Sequence, residues 1–384
     1  MRYAIFSHLY FPHTGGVESF THNLSHELVR SGNEVLIVTM RIDNSPEYEK
    51  QEDDVEVLRL PCYPLMSGRL PWTRHSAAYR ALFKQALAWK ADRVLVNTRF
   101  YPHSVEGLKY AHKLDAPAVL LDHGSAYLTV GTSGVDKILA AFEHAITAIG
   151  KLYRPTFAGI SVRSAQWLET FGIATKIVIP NAIDADGFRS SASQRDFRKE
   201  LGISQADMLV VSVGRLEPEK GSLQLAKAAR RFQHEQQAVH FAIAGEGSLR
   251  GELEAVSGSN FHLLGNIGSA DLARLLLSAD VFCLPSRSEG FCTSLLEASA
   301  CSLPSIITDV GGARELIPSR EYGWILPNQS GESVAQAISS VMKLSPSELA
   351  SVGEKAYQLV RNSHTWSDTM LRLEEAYARQ TTDK

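Results

Sequence analysis

The stretch ADVFCLPSRSEGFCTSLLE, residues 279–297, decides how the chain around it folds. Its first six residues form an apolar run of strand length, and Leu295-Leu296 with the alanines that follow indicate a packed helix. Glu289 therefore falls in a strand-to-helix loop, and Glu297 in the first turns of the helix. Such a helix start suits an anion, because it offers free backbone N–H groups and a positive dipole end. We expect Glu289 to touch a group attached to that anion, and Glu297 to accept hydrogen bonds from hydroxyls on its other side.

Length and composition define the class of protein. At 384 residues the chain is too long for one typical core, so two domains are expected. The apolar content of 44% and the charged content of 21% are ordinary for a globular protein. The net charge of −3 gives no reason to expect a nucleic-acid partner. No run reaches the roughly 18 apolar residues of a membrane-spanning helix. The four cysteines form no Cys-x-x-Cys pair, so we expect reduced thiols and a cytoplasmic protein.

Apolar runs of strand length alternate with helical patterns from end to end of the chain. Because the strands are apolar on both faces and helices separate them, they predict parallel sheets covered on both sides. The stretch Pro180–Phe188 interrupts this pattern and reads as a linker between two series of strands. We therefore predict two doubly wound, Rossmann-like α/β domains facing a cleft, one spanning residues 1–185 and the other residues 186–363. The predicted strands are Tyr3–Ser7, Glu34–Thr39, Val55–Leu60, Val94–Asn97, Ala118–Leu121, Phe157–Ser161, Lys176–Ile179, Met208–Val213, Val239–Ala244, Phe261–Leu264, Val281–Leu284, Ser305–Thr308 and Gly323–Leu326.

The loop Gly214–Gly221 follows an apolar strand and carries two cations, Arg215 and Lys220. Cations at the carboxyl end of a strand can neutralise a diphosphate through charge-assisted contacts of about 1.5–3 kcal/mol each. A solvated loop in which Arg215 pairs with Glu217 or Glu219 explains the same residues equally well. A diphosphate beside groups that bind hydroxyls fits a nucleotide-diphosphate sugar.

Two further strand ends carry candidate ligand-binding residues. Gly15 and Gly16 follow the first strand and open a helix, where glycine lets the backbone approach a ligand closely. His123 also follows an apolar strand and is expected to face the cleft, although a single histidine is more often structural. Asp184-x-Asp186 matches a pattern that holds a metal in some nucleotide-sugar enzymes, but it lies in the linker. We predict no metal and no cofactor.

Together these motifs resemble the family-4 retaining glycosyltransferases of GT-B fold, over nearly the whole chain. The resemblance is strongest from Val213 to Leu316, where four motifs occur in the family's order and spacing. These motifs are Val-Gly-Arg-Leu-Glu-Pro-Glu-Lys-Gly, Ala-Gly-Glu-Gly-Ser-Leu-Arg, Glu-Gly-Phe-Cys-Thr-Ser-Leu-Leu-Glu-Ala and Asp-Val-Gly-Gly-Ala-Arg-Glu-Leu. The turn Pro180-Asn181-Ala182-Ile183-Asp184 is similar to the family's interdomain turn. The resemblance also implies that a C-terminal helix, residues 364–384, crosses back onto the N-terminal domain.

The resemblance implies roles for residues of the C-terminal domain. Arg215 and Lys220 bind the donor diphosphate, Glu289 contacts hydroxyls of the transferred sugar, and Glu297 binds the ribose hydroxyls. The nucleotide base meets the backbone of Ile267. Backbone amides that cradle the phosphate and the sugar belong to Phe291, Cys292 and Thr293. Cys292 departs from the family pattern, since many relatives carry glycine there, and its side chain is expected to narrow the pocket beside the sugar.

In the N-terminal domain, the resemblance brings Gly16, beside Gly15, to the donor phosphates, and His123 to the sugar near its reacting carbon. The implied reaction breaks the anomeric bond of a sugar diphosphate, and fixed positive groups stabilise the departing diphosphate without a metal. The family implies retention of configuration, with the acceptor proton passing to a departing phosphate oxygen, so that no side chain need be the base. A UDP-sugar is the first donor we expect, and GDP-mannose the second.

The implied acceptor is a glycan or a lipid-linked molecule of cell-surface polysaccharide or glycolipid synthesis, held by the N-terminal domain. Residues 65–90 mix Trp72 and other aromatic residues with Arg69, Arg74 and further cations. This mixture suits peripheral contact with the inner face of a membrane. A partly buried helix whose cationic side chains reach solvent explains the segment at least as well.

Three other functions compete with sugar transfer. A glycosidase needs two carboxyl groups roughly 5–9.5 Å apart, whereas the eight positions from Glu289 to Glu297 would span ~12 Å on one helix. A hydrolase also has little use for Arg215 and Lys220. A nucleotide-sugar epimerase of the same fold would interconvert donors without an acceptor. A non-catalytic nucleotide-sugar-binding module would bind a donor without turnover, and the presence of His123 beside the other site residues argues against it.

Overall fold

The computed structural model describes residues 1–51, 53–66, 68, 70–129 and 131–382, with only the backbone for residues 381 and 382. The chain forms two compact units. The first comprises residues 1–181 and the chain from Trp366 onward, and the second comprises Ala182–Thr365. Each unit has its own sheet and its own hydrophobic core. The predicted α/β class with two Rossmann-like domains is confirmed.

The first unit is built on one sheet of mostly parallel strands. Its elements are β1 (Arg2–Phe6), α1 (Gly16–Arg30), β2 (Glu34–Arg41), β3 (Tyr48–Lys50), β4 (Glu56–Leu65), β5 (Leu70–Thr73), α2 (Ala77–Trp89), β6 (Arg93–Asn97), α3 (Pro102–Leu114), β7 (Ala118–Asp122), α4 (Ser133–Lys151), β8 (Thr156–Gly159), α5 (Val162–Trp167) and, after the second unit, α15 (Trp366–Thr382). The parallel strands lie in the order β4-β2-β1-β6-β7-β8, so the strand order reverses between β1 and β6. The short strands β3 and β5 pair antiparallel with β4.

The second unit has a fully parallel six-stranded sheet. Its elements are α6 (Ala185–Ser190), α7 (Phe197–Glu200), β9 (Met208–Val213), α8 (Ser222–His234), β10 (Val239–Ala244), α9 (Arg250–Val256), β11 (Phe261–Gly265), α10 (Ser269–Ser278), β12 (Val281–Leu284), α11 (Thr293–Ala300), β13 (Ser305–Thr308), α12 (Ala313–Leu316), β14 (Trp324–Leu326), α13 (Gly331–Val341) and α14 (Pro346–Ser363). The strands lie in the order β11-β10-β9-β12-β13-β14, and the order reverses between β9 and β12.

Helix α3 packs directly on the first sheet because a glycine lies at the contact. A Cβ atom on Gly107 would approach the side chains of Phe6 and Val96 to 2.7–2.9 Å. Such distances are too short for carbon atoms in contact, so any side chain at this position would push the helix away from β1 and β6. The close approach leaves Phe6 and Val96 fully buried in the core of the first unit.

Helix α4 is attached to the first unit through buried charge. Arg99 donates from Nη2 to Glu143 at 2.7 Å and from Nη1 to Thr147 at 3.1 Å, and its Nε lies 3.3 Å from Asp122. Glu143 also accepts from the backbone N–H of Leu128 at 2.7 Å. We call Arg99, Asp122, Glu143 and Thr147 the Arg99 cluster; all four are buried. Burial raises the pKa of Asp122 to about 6.

The C-terminal helix α15 packs within the first unit. Thr369 donates from Oγ1 to the carbonyl of Pro180 at 2.9 Å, and Ser367 donates from Oγ to Glu27 at 2.8 Å. Tyr3 donates to Glu374, and the apolar face that includes Tyr377 is fully buried. The helix therefore contacts both the first strand and helix α1, although more than 300 residues of sequence separate them.

The structure differs from the predicted elements in a few short segments. β3 and β5 were absent from the prediction, because neither is a continuous apolar run. The segment Lys176–Ile179 was predicted as a strand, but of it only Val178 pairs among the described residues, in an isolated bridge to Gly159. One such pair does not extend the sheet, so β8 remains its last strand.

The linker acids have structural partners in the second unit. Asp184 caps α6 by accepting from the backbone N–H of Gly187 at 2.9 Å. Asp186 accepts from Nε of Arg361 at 2.9 Å and from the hydroxyl of Tyr357. The Asp-x-Asp pattern is therefore explained by a helix cap and an ion pair.

We expect Arg99→Leu to destabilise the first unit by about 3–5 kcal/mol, because it leaves two carboxyl groups buried without a countercharge. The deficit should shrink at low pH, where those carboxyl groups take up protons. Urea unfolding followed by circular dichroism at pH 5 and pH 8 measures both effects. Arg30→Leu, at an exposed position on α1, is the control. An equal, small effect of both substitutions would contradict this account of α4.

Candidate active site

The loops after β9 and β12 meet at the point where the strand order of the second sheet reverses. Doubly wound sheets bind ligands at this point, beyond the carboxyl ends of their strands. Gly221, with φ +77°, lies so close to the carbonyl of Pro285 that a Cβ atom would overlap it. Arg287 donates its backbone N–H to the carbonyl of Glu219 at 2.7 Å. These contacts hold the two loops together at backbone distance.

An ion pair between Lys220 and Glu289 crosses this junction. Nζ of Lys220 donates to both carboxylate oxygens of Glu289, at 2.8 and 2.7 Å. The hydroxyl of Ser286 donates to Oε1 of Glu289 at 2.7 Å, and Thr308 donates to the carbonyl of Ser286. The side chain of Lys220 is 21% exposed and that of Glu289 is 9% exposed. These three hydrogen bonds fix the carboxylate, while the Lys220 side chain stays partly exposed.

The start of α11 lies directly after this ion pair. Phe291 packs on Gly312, where a Cβ atom would lie 2.8 Å from the ring, and Thr293 is the first residue of the helix. Cys292 precedes the helix with φ 63° and ψ 69°, in the left-handed region that glycine adopts without strain. This conformation gives a physical reason for a preference for glycine at the position. The Cys292 side chain is buried, and burial raises the pKa of its thiol to about 12.

Glu297 lies on α11, one turn after Thr293, and is partly buried. No described group of the protein hydrogen-bonds its carboxyl oxygens. Burial raises the pKa of the Glu297 carboxyl to about 7, since a carboxylate loses hydration there without gaining a countercharge. The group is therefore a hydrogen-bonding side chain that the described protein leaves unsatisfied.

Arg215 and Ile267 line one cavity of about 220 Å³ at the ends of β9, β10 and β11. Arg215 is 61% exposed and pairs with Glu219 at 3.3 Å, which is one of the two pairings left open by the sequence. The other candidate, Glu217, accepts from the hydroxyl of Ser248 at 2.7 Å. A larger cavity of about 350 Å³ lies near β13 and β14, and its lining includes none of the predicted site residues.

In the first unit, Gly15 and Gly16 begin helix α1. Gly15 is the N-cap, and a Cβ atom on it would overlap the carboxylate of Glu18. Glu18 is buried in the first turn of the helix, where its negative charge complements the helix dipole. Gly15 therefore makes room for a carboxylate of the protein itself. Its predicted approach to donor phosphates, with that of Gly16, stays a prediction.

His123 directly follows β7 in the first unit. Its Nε2 lies 3.0 Å from Oδ1 of Asn97, and the Nδ2 group of Asn97 donates to the hydroxyl of Thr21 at 2.9 Å. Because Asn97 uses its N–H group on Thr21, its oxygen accepts the Nε2 proton of His123. Phe20 packs edge-on at 5.0 Å, and burial lowers the pKa of His123 to about 3. The imidazole is therefore neutral near pH 7, with Nδ1 as a hydrogen-bond acceptor.

Two models of known families match successive parts of the chain and together cover most of it. A model described as Glycosyltransferase Family 4 matches residues 14–186, and one described as Glycosyl transferases group 1 matches residues 193–359. The chain belongs to glycosyltransferase family 4 and has the GT-B fold. The family resemblance of the sequence motifs is confirmed.

Named relatives of this family-4 glycosyltransferase include proteins of eukaryotes and bacteria. One component of the human phosphatidylinositol N-acetylglucosaminyltransferase is 24% identical over 97% of this chain and 75% of its own length. TuaC of Bacillus subtilis, which its name assigns as a glycosyltransferase to teichuronic acid biosynthesis, is 28% identical over 77% of this chain and 73% of its own. The structure of Anabaena HepE in complex with UDP and glucose is 17% identical with a TM-score of 0.72, over 99% of this chain and 100% of its own.

Ser286, Asn97 and Thr21 are absent from the residues predicted from the sequence. Ser286 holds Glu289, and Asn97 fixes the tautomer of His123. Asn97 is the polar residue that ends the apolar run Val94–Val96 of β6, and Ser286 follows the apolar strand β12 by two residues. Polar residues at the carboxyl ends of buried strands are the signal that would have identified both.

We expect Glu297→Gln to stabilise the ligand-free second unit increasingly as the pH rises from about 4.5 to 7. Folding raises the pKa of the Glu297 carboxyl to about 7. The wild-type carboxyl therefore stabilises the folded state below its unfolded pKa, and this contribution is lost as the pH rises through about 7. Urea unfolding at pH 5 and pH 8 measures the difference, with Glu252→Gln at an exposed position as the control. The account fails if the advantage of Glu297→Gln is the same at both pH values.

Proposed function

We propose that this family-4 glycosyltransferase moves a hexose or an N-acetylhexosamine from a UDP-sugar to a glycan or lipid-linked acceptor of cell-surface polysaccharide or glycolipid synthesis. The observation that carries the proposal is the Lys220–Glu289 pair beside the start of α11, at the strand-order reversal. A sugar diphosphate needs a cation for its leaving group and a hydrogen-bond acceptor for its sugar hydroxyls. The pair supplies both groups from two neighbouring loops.

The named relatives support the donor and acceptor classes. The human relative is named for transfer of N-acetylglucosamine to phosphatidylinositol, and TuaC for the synthesis of teichuronic acid. The HepE structure contains UDP and glucose. A UDP-sugar is therefore the first donor to test and GDP-mannose the second. The proposed place of action is the cytoplasm or the inner face of the membrane.

Lys220 can bind a phosphate without giving up Glu289. An ammonium group has three N–H donors, and Glu289 accepts two of them. The third donor is left for an oxygen of the leaving diphosphate. Because the ion pair holds the ammonium in place before a donor binds, no reorganisation is needed when negative charge develops on the diphosphate. In the same arrangement the Glu289 carboxylate accepts hydrogen bonds from the sugar.

Arg215 adds the net positive charge that the neutral Lys220–Glu289 pair lacks. Arg215 forms an exposed ion pair with Glu219, and exposed ion pairs contribute about 0–1 kcal/mol to stability. A phosphate dianion can therefore replace Glu219 at small energetic cost. The same loop would then bind the diphosphate with two cations, while the base occupies the cavity that Arg215 shares with Ile267.

In the proposed reaction the anomeric C–O bond breaks and the electron pair passes to the diphosphate. The acceptor hydroxyl attacks from the face that the diphosphate leaves, so the configuration is retained, and its proton passes to a phosphate oxygen. Arg215, Lys220 and the helix dipole at the start of α11 stabilise the developing charge, and no metal is required. The Cys292 thiol does not act as a nucleophile in this scheme, because burial raises its pKa to about 12.

Product analysis tests the function directly. The purified chain is incubated with UDP-glucose, UDP-N-acetylglucosamine or GDP-mannose and with lipid-linked and soluble saccharide acceptors, with and without EDTA. We expect UDP release that depends on an acceptor, resists EDTA and gives an α-linked product by NMR. Free sugar without acceptor would indicate a hydrolase, and interconverted donor an epimerase. UDP binding with no turnover would indicate a binding module, and each of these outcomes overturns the proposal.

Substitution of Lys220 tests the role of the ion pair. We expect Lys220→Ala to raise the donor KM and to lower kcat, with kcat/KM falling about 10²–10³-fold, as for loss of one preorganised donor at a developing anion. Ser286→Ala should lower kcat/KM by about tenfold or less, because one of three hydrogen bonds to Glu289 is lost. Lys343→Ala, at an exposed position after α13, is the control. Steady-state kinetics are measured at saturating acceptor. If Lys220→Ala and Ser286→Ala both match wild type, the role assigned to the ion pair is wrong.

A further inference from the structure

The outward face of α4 is apolar. Val135, Ile138, Phe142, Ala145, Ile149 and Leu152 recur at spacings of three and four residues, so they form one stripe along the helix and its C-cap. Ile138 is 70% exposed and Leu152 is 78% exposed, while Val135 and Ile149 are each 42% exposed. The polar residues Glu143 and Thr147 are buried on the opposite side. An ordinary surface helix of a globular protein has the reverse arrangement.

The Arg99 cluster enforces this orientation. Rotation of α4 to bury Ile138 would withdraw Glu143 from Arg99 and Thr147 from the same guanidinium. The backbone N–H of Leu128 would also lose its acceptor. Since a buried charge that loses its partner is strongly destabilising, the helix keeps its apolar stripe turned toward solvent.

The stripe continues onto the hairpin formed by β4 and β5. Tyr63, Leu65, Met66 and Trp72 on this hairpin are exposed. The ring of Trp72 lies 5.9 Å from the ring of Phe142 on α4, and Leu70 of β5 belongs to the small core against which Phe142 packs. We call the stripe of α4 and these four hairpin residues the apolar strip. It combines two elements that are more than 50 residues apart in sequence.

Cations predominate among the charged residues of the segments that carry the apolar strip. From residue 60 to residue 91 there is no Asp or Glu, whereas Arg69, Arg74, Arg80, Lys84 and Lys90 occur there. Arg69 lies outside the described residues. Arg74 lies over the ring of Tyr63 at 5.6 Å. From residue 135 to residue 168 the acids are Asp136, in the first turn of α4, and Glu143, which is buried. The cations of this segment are Lys137, Lys151, Arg154 and Arg163.

Helix α2 contributes charge to this surface rather than apolar contact. Tyr79 and Phe83 are buried in the core of the first unit, and Trp89 donates to Glu56 at 2.9 Å. Arg80 and Lys84 are exposed on the other side of the helix. Within residues 65–90, the helix therefore follows the second interpretation of the sequence, a partly buried helix with cations in solvent. The exposed aromatic residue of the segment is Trp72, on the hairpin.

We propose that the apolar strip is the surface by which the first unit binds an anionic phospholipid bilayer. Its apolar side chains enter the boundary between headgroups and acyl chains, and the surrounding lysines and arginines contact lipid phosphates. The occupant is a lipid surface rather than a protein, because the excess of cations in the segments that carry the apolar strip complements anionic headgroups. Among the described helices, none has the length and hydropathy needed to cross a bilayer.

This inference deepens the proposed function, since a lipid-linked acceptor would lie in the same bilayer, but its test needs neither donor nor acceptor. The purified full chain is sedimented with vesicles of phosphatidylcholine, with and without phosphatidylglycerol. We expect binding that requires phosphatidylglycerol and weakens with salt. Ile138→Glu combined with Leu152→Glu should lower the partition coefficient at least tenfold, and Arg74→Ala about fivefold.

Leu371→Glu is the matched control, because it places the same charge at a 58% exposed leucine of α15 in the same unit. Circular dichroism and thermal melts verify that all variants fold. Absence of vesicle binding by wild type, or equal loss in the control, would overturn the proposal. A wild-type dimer in light scattering that Ile138→Glu converts to monomer would also overturn it, since the strip would then be a protein interface. UDP binding by the same variants, measured by thermal shift, reports separately on the proposed function.

Discussion

The reversal of strand order in the second sheet is the constraint on which the candidate active site depends. The chain connections on either side of a reversal leave in opposite directions, so a space remains beyond the strand ends. β9 and β12 lie on either side, and the sheet therefore brings Lys220 to Glu289 across 69 residues of sequence. The close contacts of Gly221 with the carbonyl of Pro285 and of Gly312 with the ring of Phe291 then set how tightly the loops pack around the ion pair. A small displacement at these contacts would separate the Lys220 ammonium from the Glu289 carboxylate.

The strands and the loops of the site could be predicted from the sequence because both leave strong local signals. Val281–Leu284 is apolar throughout and Met208–Val213 is apolar except for Ser212, as expected of strands buried on both faces, and the structure has the same bounds. The short strand Leu70–Thr73 could not be predicted in this way. Its four residues pair with β4 alone, and the local sequence pattern does not show which strand the partner is.

Side-chain partners could not be predicted, because they depend on the approach of distant segments. The sequence left Arg215 with two possible partners, at positions two and four residues further on. In the folded loop Arg215 pairs with Glu219, while Glu217 accepts from Ser248, which arrives from the turn after β10. The left-handed backbone at Cys292 is similarly a result of the turn into α11. A residue-by-residue pattern contains neither the neighbouring loop nor the turn angle.

In the first unit, buried charges hold a helix and a strand end in position, as close contacts at the loops do in the second unit. The guanidinium of Arg99 binds Glu143 on α4 and Asp122 at the end of β7, and His123 follows Asp122 in the chain. The hydrophobic effect alone would bury the stripe of α4 and expose Glu143. The cluster reverses this preference, because the desolvated charges are stable only as a set. The position of the apolar helix face and that of the His123 backbone are thus fixed by one guanidinium. If α4 moved on a membrane, either β7 would move with it or the charges of Arg99, Asp122 and Glu143 would resist the movement.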